Sequence, residues 1–423
     1  MTDISRPLPG FGDFGGRAWL NTAHQGALPL AAAEAAREAI AWKLSPSELT
    51  QDRFDTVPLR LREALGRLVN VPADDIILSN SASRGLHLIA NALDWKAGDE
   101  VLVLENDFPS DVLPWRLPER DHGVKIVPIT PRDKVVAPDE LEAAITSRTR
   151  LFCTTWVHSF SGCAVDLEAL GAICRERGVI FVVNGSQGLG ARPLDLSAAP
   201  VDAYTGVGFK WLCGPYGTGF AWIRPDLRDT LKPQQAYWLS MLTAEDLGAA
   251  TVPTELRDGR GARAFDLFGT ANFFNFVPWT AALEHVMGIG LETIRDHDQA
   301  LVARFIDGLD RTRFDITSPV EDGPRRSTLG YNKPRRRRAA PLDARLLQSP
   351  RAGAQCRPAR RPPRGRGGRR LPRRRAAPRP APLQFRRRYR PRARAAPRAG
   401  LTARPTFSFL PLFRAGGRRL AYV

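Results

Sequence analysis

A single lysine set among glycines and aromatics, in the run Gly206-Val207-Gly208-Phe209-Lys210-Trp211, is the residue best suited to covalent chemistry in this chain. Its neighbours Phe209 and Trp211 would desolvate the amine and push it toward the neutral form, and a neutral amine condenses with a carbonyl. The same local sequence also fits a lysine that snorkels from a strand end. Upstream, the apolar run 179–183 leads into Asn184-Gly185-Ser186-Gln187, which offers two side-chain amides to a ligand. Further polar clusters follow short apolar runs at Ser79-Asn80-Ser81-Ala82-Ser83, at residues 106–111 and at His158-Ser159.

These groups converge only if the right elements carry them. Residues 30–70 read as helix, alanine-rich at first and then with leucines at helical spacing. Short strands are expected at 76–78, 101–104, 124–127, 150–157, 179–183 and 219–223, with helices at 83–93, 138–145 and 166–177, the last closed by Gly178. The strand at 219–223 reads as the antiparallel partner after the Lys210 turn. Apolar strands alternating with helices predict an α/β fold built on a large, mostly parallel sheet covered on both faces. Ligands of such sheets bind outside the carboxyl ends of the strands, where the polar clusters fall. Residues 276–310 return to helix, and Phe314-Asp315-Ile316-Thr317 looks like the first strand of a smaller domain that is never completed. The expected division is an N-terminal arm (1–29), a large domain (30–285), the start of a small C-terminal domain (286–328) and an Arg/Pro-rich tail (329–423).

Charge separates that tail from the rest. From residue 333 onward there are 28 Arg and one Lys against one acid, Asp343, whereas residues 1–332 hold 33 basic and 43 acidic residues. The first three quarters therefore have the balance of an ordinary acidic enzyme. The tail is Arg, Pro, Ala and Gly, a composition too poor in apolar surface to fold. One reading is a disordered basic arm that binds nucleic-acid phosphates. The other, preferred because the break falls inside a domain after its first strand, is a frameshift, since GC-rich codons read out of frame give these four residues. A nucleic-acid partner is expected only if the tail is genuine. The start carries no secretory signal, no apolar run reaches membrane-spanning length, and five scattered cysteines form no CxxC pair. These features point to a cytoplasmic protein with no metal site and no disulfide framework.

Taken with their order and spacing, LNTAHQGALP (20–29), SNSASRGLHLIANAL (79–93), ENDFPSDVLPW (105–115), VVNGSQGLGARPLDL (182–196), GFKWLCGPYGTGF (208–220) and FGTANFF (268–274) resemble the class V aminotransferase family of the pyridoxal-phosphate fold-type I superfamily. That group holds cysteine desulfurases, kynureninases and isopenicillin-N-epimerase-like proteins. The resemblance implies that Lys210 forms the Schiff base with pyridoxal 5'-phosphate, and that Ala82 and Ser83 form the phosphate-binding turn. It implies that Phe108 stacks on the pyridine ring, followed by Ser110 and Asp111 of the same motif, and that Gln187 lies near the phenolic oxygen. Thr270 resembles a phosphate contact donated by a neighbouring subunit, which implies a homodimer. His24 and His158 are candidate substrate contacts, each weighed against a structural or solvated role. The implied substrate is an amino acid or a related amine.

Two departures stand out. Asn184 replaces the aspartate that normally keeps the ring nitrogen protonated, so the electron sink is expected to be weaker unless Asp111 compensates. No arginine of the tail sits in a recognisable carboxylate-clamping context. Phe108 replaces the stacking histidine of desulfurases and Cys356 does not resemble their nucleophilic loop, which ranks desulfuration below kynureninase-like and epimerase-like chemistry. Transamination, elimination, hydrolytic side-chain cleavage and racemisation stay open. A contrasting reading is a catalytically inactive chain whose basic tail binds nucleic acid.

Overall fold

Seven strands carry the candidate residues: β1 (Ile76–Ser79), β2 (Glu100–Leu104), β3 (Lys125–Ile129), β4 (Thr149–Thr155), β5 (Ile180–Asn184), β6 (Ala203–Val207) and β7 (Gly219–Ile223). The computed structural model describes residues 10–318, apart from 233–234, 252, 256–260, 270, 313 and 317, together with 332–334. The strands lie in the order β1-β7-β6-β5-β4-β2-β3. β7 is antiparallel to both neighbours, and the other pairings are parallel. The α/β expectation is met, including the reversed strand after the Lys210 turn.

The sheet is buried because its strands are apolar on both faces. β1, β2, β6 and β7 are buried along their whole length, and the edge strand β3 is the most open. Alternation sorts side chains to the two faces. Phe152, Phe181 and Val183 pack on one face with the helices Gln51–Val69 and Phe273–Ile289. Leu151, Cys153 and Val182 pack on the other with the helix Ala82–Ala92 and Trp115. The rings of Phe152 and Phe181, directly opposite on β4 and β5, stack 5.5 Å apart between centroids.

Local chemistry sets the boundaries. The helix 83–93 of the sequence reading begins one residue earlier, at Ala82, because Ser81 is the N-cap: its Oγ accepts from the Arg84 amide at 3.2 Å. Leu167–Arg177 is capped by Asp166 at its start and closed by Gly178 in the left-handed region, as anticipated. The helix expected over 276–310 is divided at Gly290, whose φ of +92° separates Phe273–Ile289 from Leu291–Asp307. Phe314–Ile316 is a strand and pairs antiparallel with Asn332–Pro334. Asn332–Pro334 falls within the expected Arg/Pro-rich tail, while the rest of that tail, and with it any role for it, lies outside the described residues, as does Cys356. Among the described residues the cysteines are buried and form no disulfide, no His/Cys/Asp/Glu cluster could hold a metal, and no helix is long and apolar enough to cross a membrane.

Candidate active site

Lys210 stands in the turn between β6 and β7. Glycines set this turn by letting packed groups approach. A Cβ on Gly208 would lie 2.2 Å from Thr218 Oγ1 and 2.5 Å from the Trp279 ring, so only glycine fits over that buried tryptophan. Gly26 of the N-terminal loop plays the same part from the other side. Its amide donates to the Phe209 carbonyl at 2.9 Å, and a Cβ there would fall 1.9 Å from the Lys210 carbonyl oxygen. Lys210 is half-buried, with Nζ 5.8 Å from the Phe108 ring centroid and 6.0 Å from that of Phe209. Trp211, expected to desolvate the amine, instead directs its indole N–H to Gln187 Oε1 at 3.1 Å.

Gln187 is buried and doubly held, since its Nε2 also donates to the Ala23 carbonyl at 3.1 Å. An indole nitrogen only donates and a carbonyl only accepts, so the amide orientation is fixed. One N–H of Nε2 remains for a ligand oxygen.

Across the sheet ends, Ala82 and Ser83 are the first two residues of an eleven-residue helix. Their amides belong to the four that a helix leaves unbonded at its start, where anions are favoured. Thr205 of β6 pins this turn by donating to the Ala82 carbonyl at 2.9 Å. Gly219 at the head of β7 passes so close that a Cβ would lie 2.6 Å from the Ser81 nitrogen.

Phe108 precedes the short helix Pro109–Val112, and Asp111 follows one turn later. Asp111 is fully buried. Its carboxyl is pushed well above the usual range, first by burial and then by the neighbouring Asp107, against the opposing pull of Asn184 and Lys210. Asn184, buried at the end of β5, donates to Asp111 Oδ1 at 2.8 Å. Asp111 Oδ2 is buried without a hydrogen-bond partner among the described residues. Asp107 accepts from the amides of Phe108 (2.7 Å) and Thr155 (3.1 Å), and burial raises it to about 6.

The sequence reading thus brought Lys210, Phe108, Asp111, Asn184, Gln187, Ala82 and Ser83 to one end of the sheet, while Thr270 lies outside the described residues. Ser110 is half-buried and sits 3.4 Å from Asn184 Nδ2. His24 is exposed in its loop. His158 is buried, with Nδ1 2.9 Å from Ser161 Oγ, and burial lowers its pKa. Ser81, Asp107 and Ser186 fall in the polar clusters that the sequence singled out but carried no individual role there, and the Trp211–Gln187–Ala23 chain was missed. For Asp107 a signal existed: Asn-Asp before Phe-Pro marks a turn, and Asn106 takes a φ of +64°. An amine, an aromatic face, an anion-ready helix start and a buried carboxyl oxygen with no partner together suit a planar, phosphorylated aromatic aldehyde.

A family model described as aminotransferase class-V matches residues 49–332. The chain is 29% identical over 240 residues to a probable cysteine desulfurase of Methanothermobacter thermautotrophicus, covering 56% of this chain and 57% of that protein. It is 29% identical over 272 residues to the isopenicillin N epimerase of Streptomyces clavuligerus, covering 63% and 67%. The matches thus span about three fifths of the length of these curated relatives. Among solved structures it resembles the apo cysteine desulfurase of Thermococcus onnurineus NA1, with a TM-score of 0.65 at 21% identity over 75% of this chain and 80% of that one. It also resembles a C-DES mutant carrying glycine covalently linked to its PLP cofactor, with a TM-score of 0.67 at 22% identity over 73% and 81%.

Proposed function

Because the chain belongs to the class-V aminotransferase family, we propose that it is a pyridoxal-phosphate enzyme that acts on an amino acid or a related amine through Lys210. The single observation that carries this reading is the Lys210 amine, 5.8 Å from the Phe108 ring, at the carboxyl ends of the strands. When bound, the cofactor supplies an electron sink for charge that develops on the substrate carbon next to its amine. The chain's own residues do the rest. Lys210 holds the cofactor by its amine and then moves a proton at that carbon with Nζ. Phe108 covers one face of the ring. The amides of Ala82 and Ser83 hold the phosphate, and the remaining Gln187 N–H donates to the phenolic oxygen.

Phe108 has no proton to give, so it serves as a surface rather than as an acid. That favours hydrolytic or eliminative side-chain cleavage and racemisation over desulfuration. By the same family likeness, Thr270 contacts the phosphate of a neighbouring subunit and the working unit is a homodimer. The test is visible absorption of the purified full chain supplied with pyridoxal phosphate. The wild type turns yellow and Lys210→Ala stays colourless. A wild type that stays colourless, or a Lys210→Ala variant with the same band, overturns the reading.

A further inference from the structure

The stretch that grips the lysine turn from the N-terminal side hangs on little. Residues 19–28 are exposed or half-buried throughout, and the first buried residue after them is Pro29. Trp19, Leu20 and Leu28 leave much of their side chains in water. The stretch is tied to itself. The Trp19 indole N–H donates to the Gln25 carbonyl at 2.8 Å, and the His24 and Gln25 amides donate to the Asn21 carbonyl at 3.0 and 3.1 Å. It therefore keeps its shape as a closed loop. Among the described residues two hydrogen bonds tie that loop to the sheet end: the Gly26 amide to the Phe209 carbonyl, and Gln187 Nε2 to the Ala23 carbonyl. Ala23 adds a small apolar contact with the core. An element with internal bonds, few outward ties and little buried apolar surface opens locally, at a cost well below that of unfolding.

What the loop closes on is the lysine itself. Gly26 lies so close that a Cβ would fall 1.9 Å from the Lys210 carbonyl oxygen. From the other side Gly190, with a φ of +97°, approaches the Trp211 carbonyl so closely that a Cβ would lie 2.7 Å from it. The backbone of the lysine turn is thus held from two sides, and one of them is the weakly tied loop. We infer that residues 19–28 form a strap that lifts from and closes on the lysine turn as one unit, gating access to Lys210 and Gln187 while the sheet stays folded. Closed, the strap covers the Lys210 carbonyl and holds the Gln187 amide between Ala23 and Trp211. Lifted, it takes the Ala23 acceptor away from Gln187 and uncovers the turn. The device is independent of what Lys210 binds, and it places the control of entry in the N-terminal arm.

The experiment uses the full chain with no ligand added. Hydrogen exchange is followed by mass spectrometry on peptides covering the strap and β5, and acetylation of Lys210 by a limiting dose of acetic anhydride is read on the same protein. Two net hydrogen bonds protect the strap amides by roughly ten- to a hundredfold over an unstructured peptide, whereas the β5 amides, which need the sheet to unfold, are protected on the order of ten-thousandfold or more. Trp19→Phe removes an exposed donor that closes the loop and touches nothing in the site. It should speed strap exchange by about fivefold, leave β5 unchanged and raise Lys210 acetylation in step. Strap amides that exchange as slowly as those of β5 overturn the inference. So does a Trp19→Phe variant whose strap exchanges faster while Lys210 acetylation stays the same. The wild-type exchange decides whether the strap opens on its own even if the variant does not fold.

Discussion

Replacing Gly26 by alanine tests how the N-terminal loop holds the lysine. The added methyl would lie 1.9 Å from the Lys210 carbonyl oxygen, 3.0 Å from its carbonyl carbon and 3.2 Å from Cys213 Cα. All three are backbone atoms, so no flexible side chain can yield. The loop must lift, which breaks the Gly26 amide bond to Phe209 and the Gln187 bond to Ala23. Two net hydrogen bonds at about 1 kcal/mol each, plus overpacking at about 1 kcal/mol, give a loss of roughly 3 kcal/mol. At on the order of 2 °C per kcal/mol for a large domain, the melting temperature falls by roughly 6 °C. Gly12→Ala is the control, since nothing lies within 4 Å of its added methyl. The assay is thermal unfolding of both variants with and without pyridoxal phosphate. Gly26→Ala should also lose most of the cofactor-induced stabilisation. If it melts with the Gly12→Ala control, the docking of the loop on the lysine turn is wrong.

Other consequences concern the same residues. Gln187→Glu sets a carboxylate oxygen against the Ala23 carbonyl, which Nε2 now faces at 3.1 Å, and should cost about 1–3 kcal/mol in chemical denaturation; Trp211→Phe, which removes only the indole donor, should cost less. Gly219→Ala presses a methyl to 2.6–2.8 Å of the Ser81 backbone and should weaken cofactor binding by roughly tenfold or more, read by fluorescence titration. Burial lifts Asp107, Asp266 and Asp298 from 3.8 to about 6. Raised folded-state values mean that the folded protein binds protons more tightly, so their stabilisation is present below about 4 and lost as pH rises through about 6. Asp107 alone contributes about 3 kcal/mol to that decline. Apo-protein stability should fall across this window, and Asp107→Asn should flatten the slope; an unchanged slope would contradict the burial of a protonated Asp107.

Much of this arrangement was legible in the sequence because it rests on strong local signals. The apolar runs that became β2, β5 and β7 are continuous, and Gly178 marks a helix end by its left-handed backbone. Lys210 could be singled out because a charge among glycines and aromatics at a strand end has few structural roles. What escaped was tertiary. Nothing in the string tells that Trp211 turns to Gln187 rather than to the lysine, or that Ser186 saturates the Asn184 oxygen. Nor does the string tell that folding buries Asp107 beside Asp111. The Ser81 cap was one residue from the expected start, within the range over which helix ends shift.

On the proposed reading Lys210 carries the cofactor. Reduction of the loaded full chain with borohydride, followed by proteolysis and mass spectrometry of the trapped adduct, tests it directly. The phosphopyridoxyl group should be found on the peptide containing Gly208-Phe209-Lys210-Trp211, and on Lys210 within it. An adduct on another lysine, or no adduct from a chain that binds the cofactor, would contradict the account.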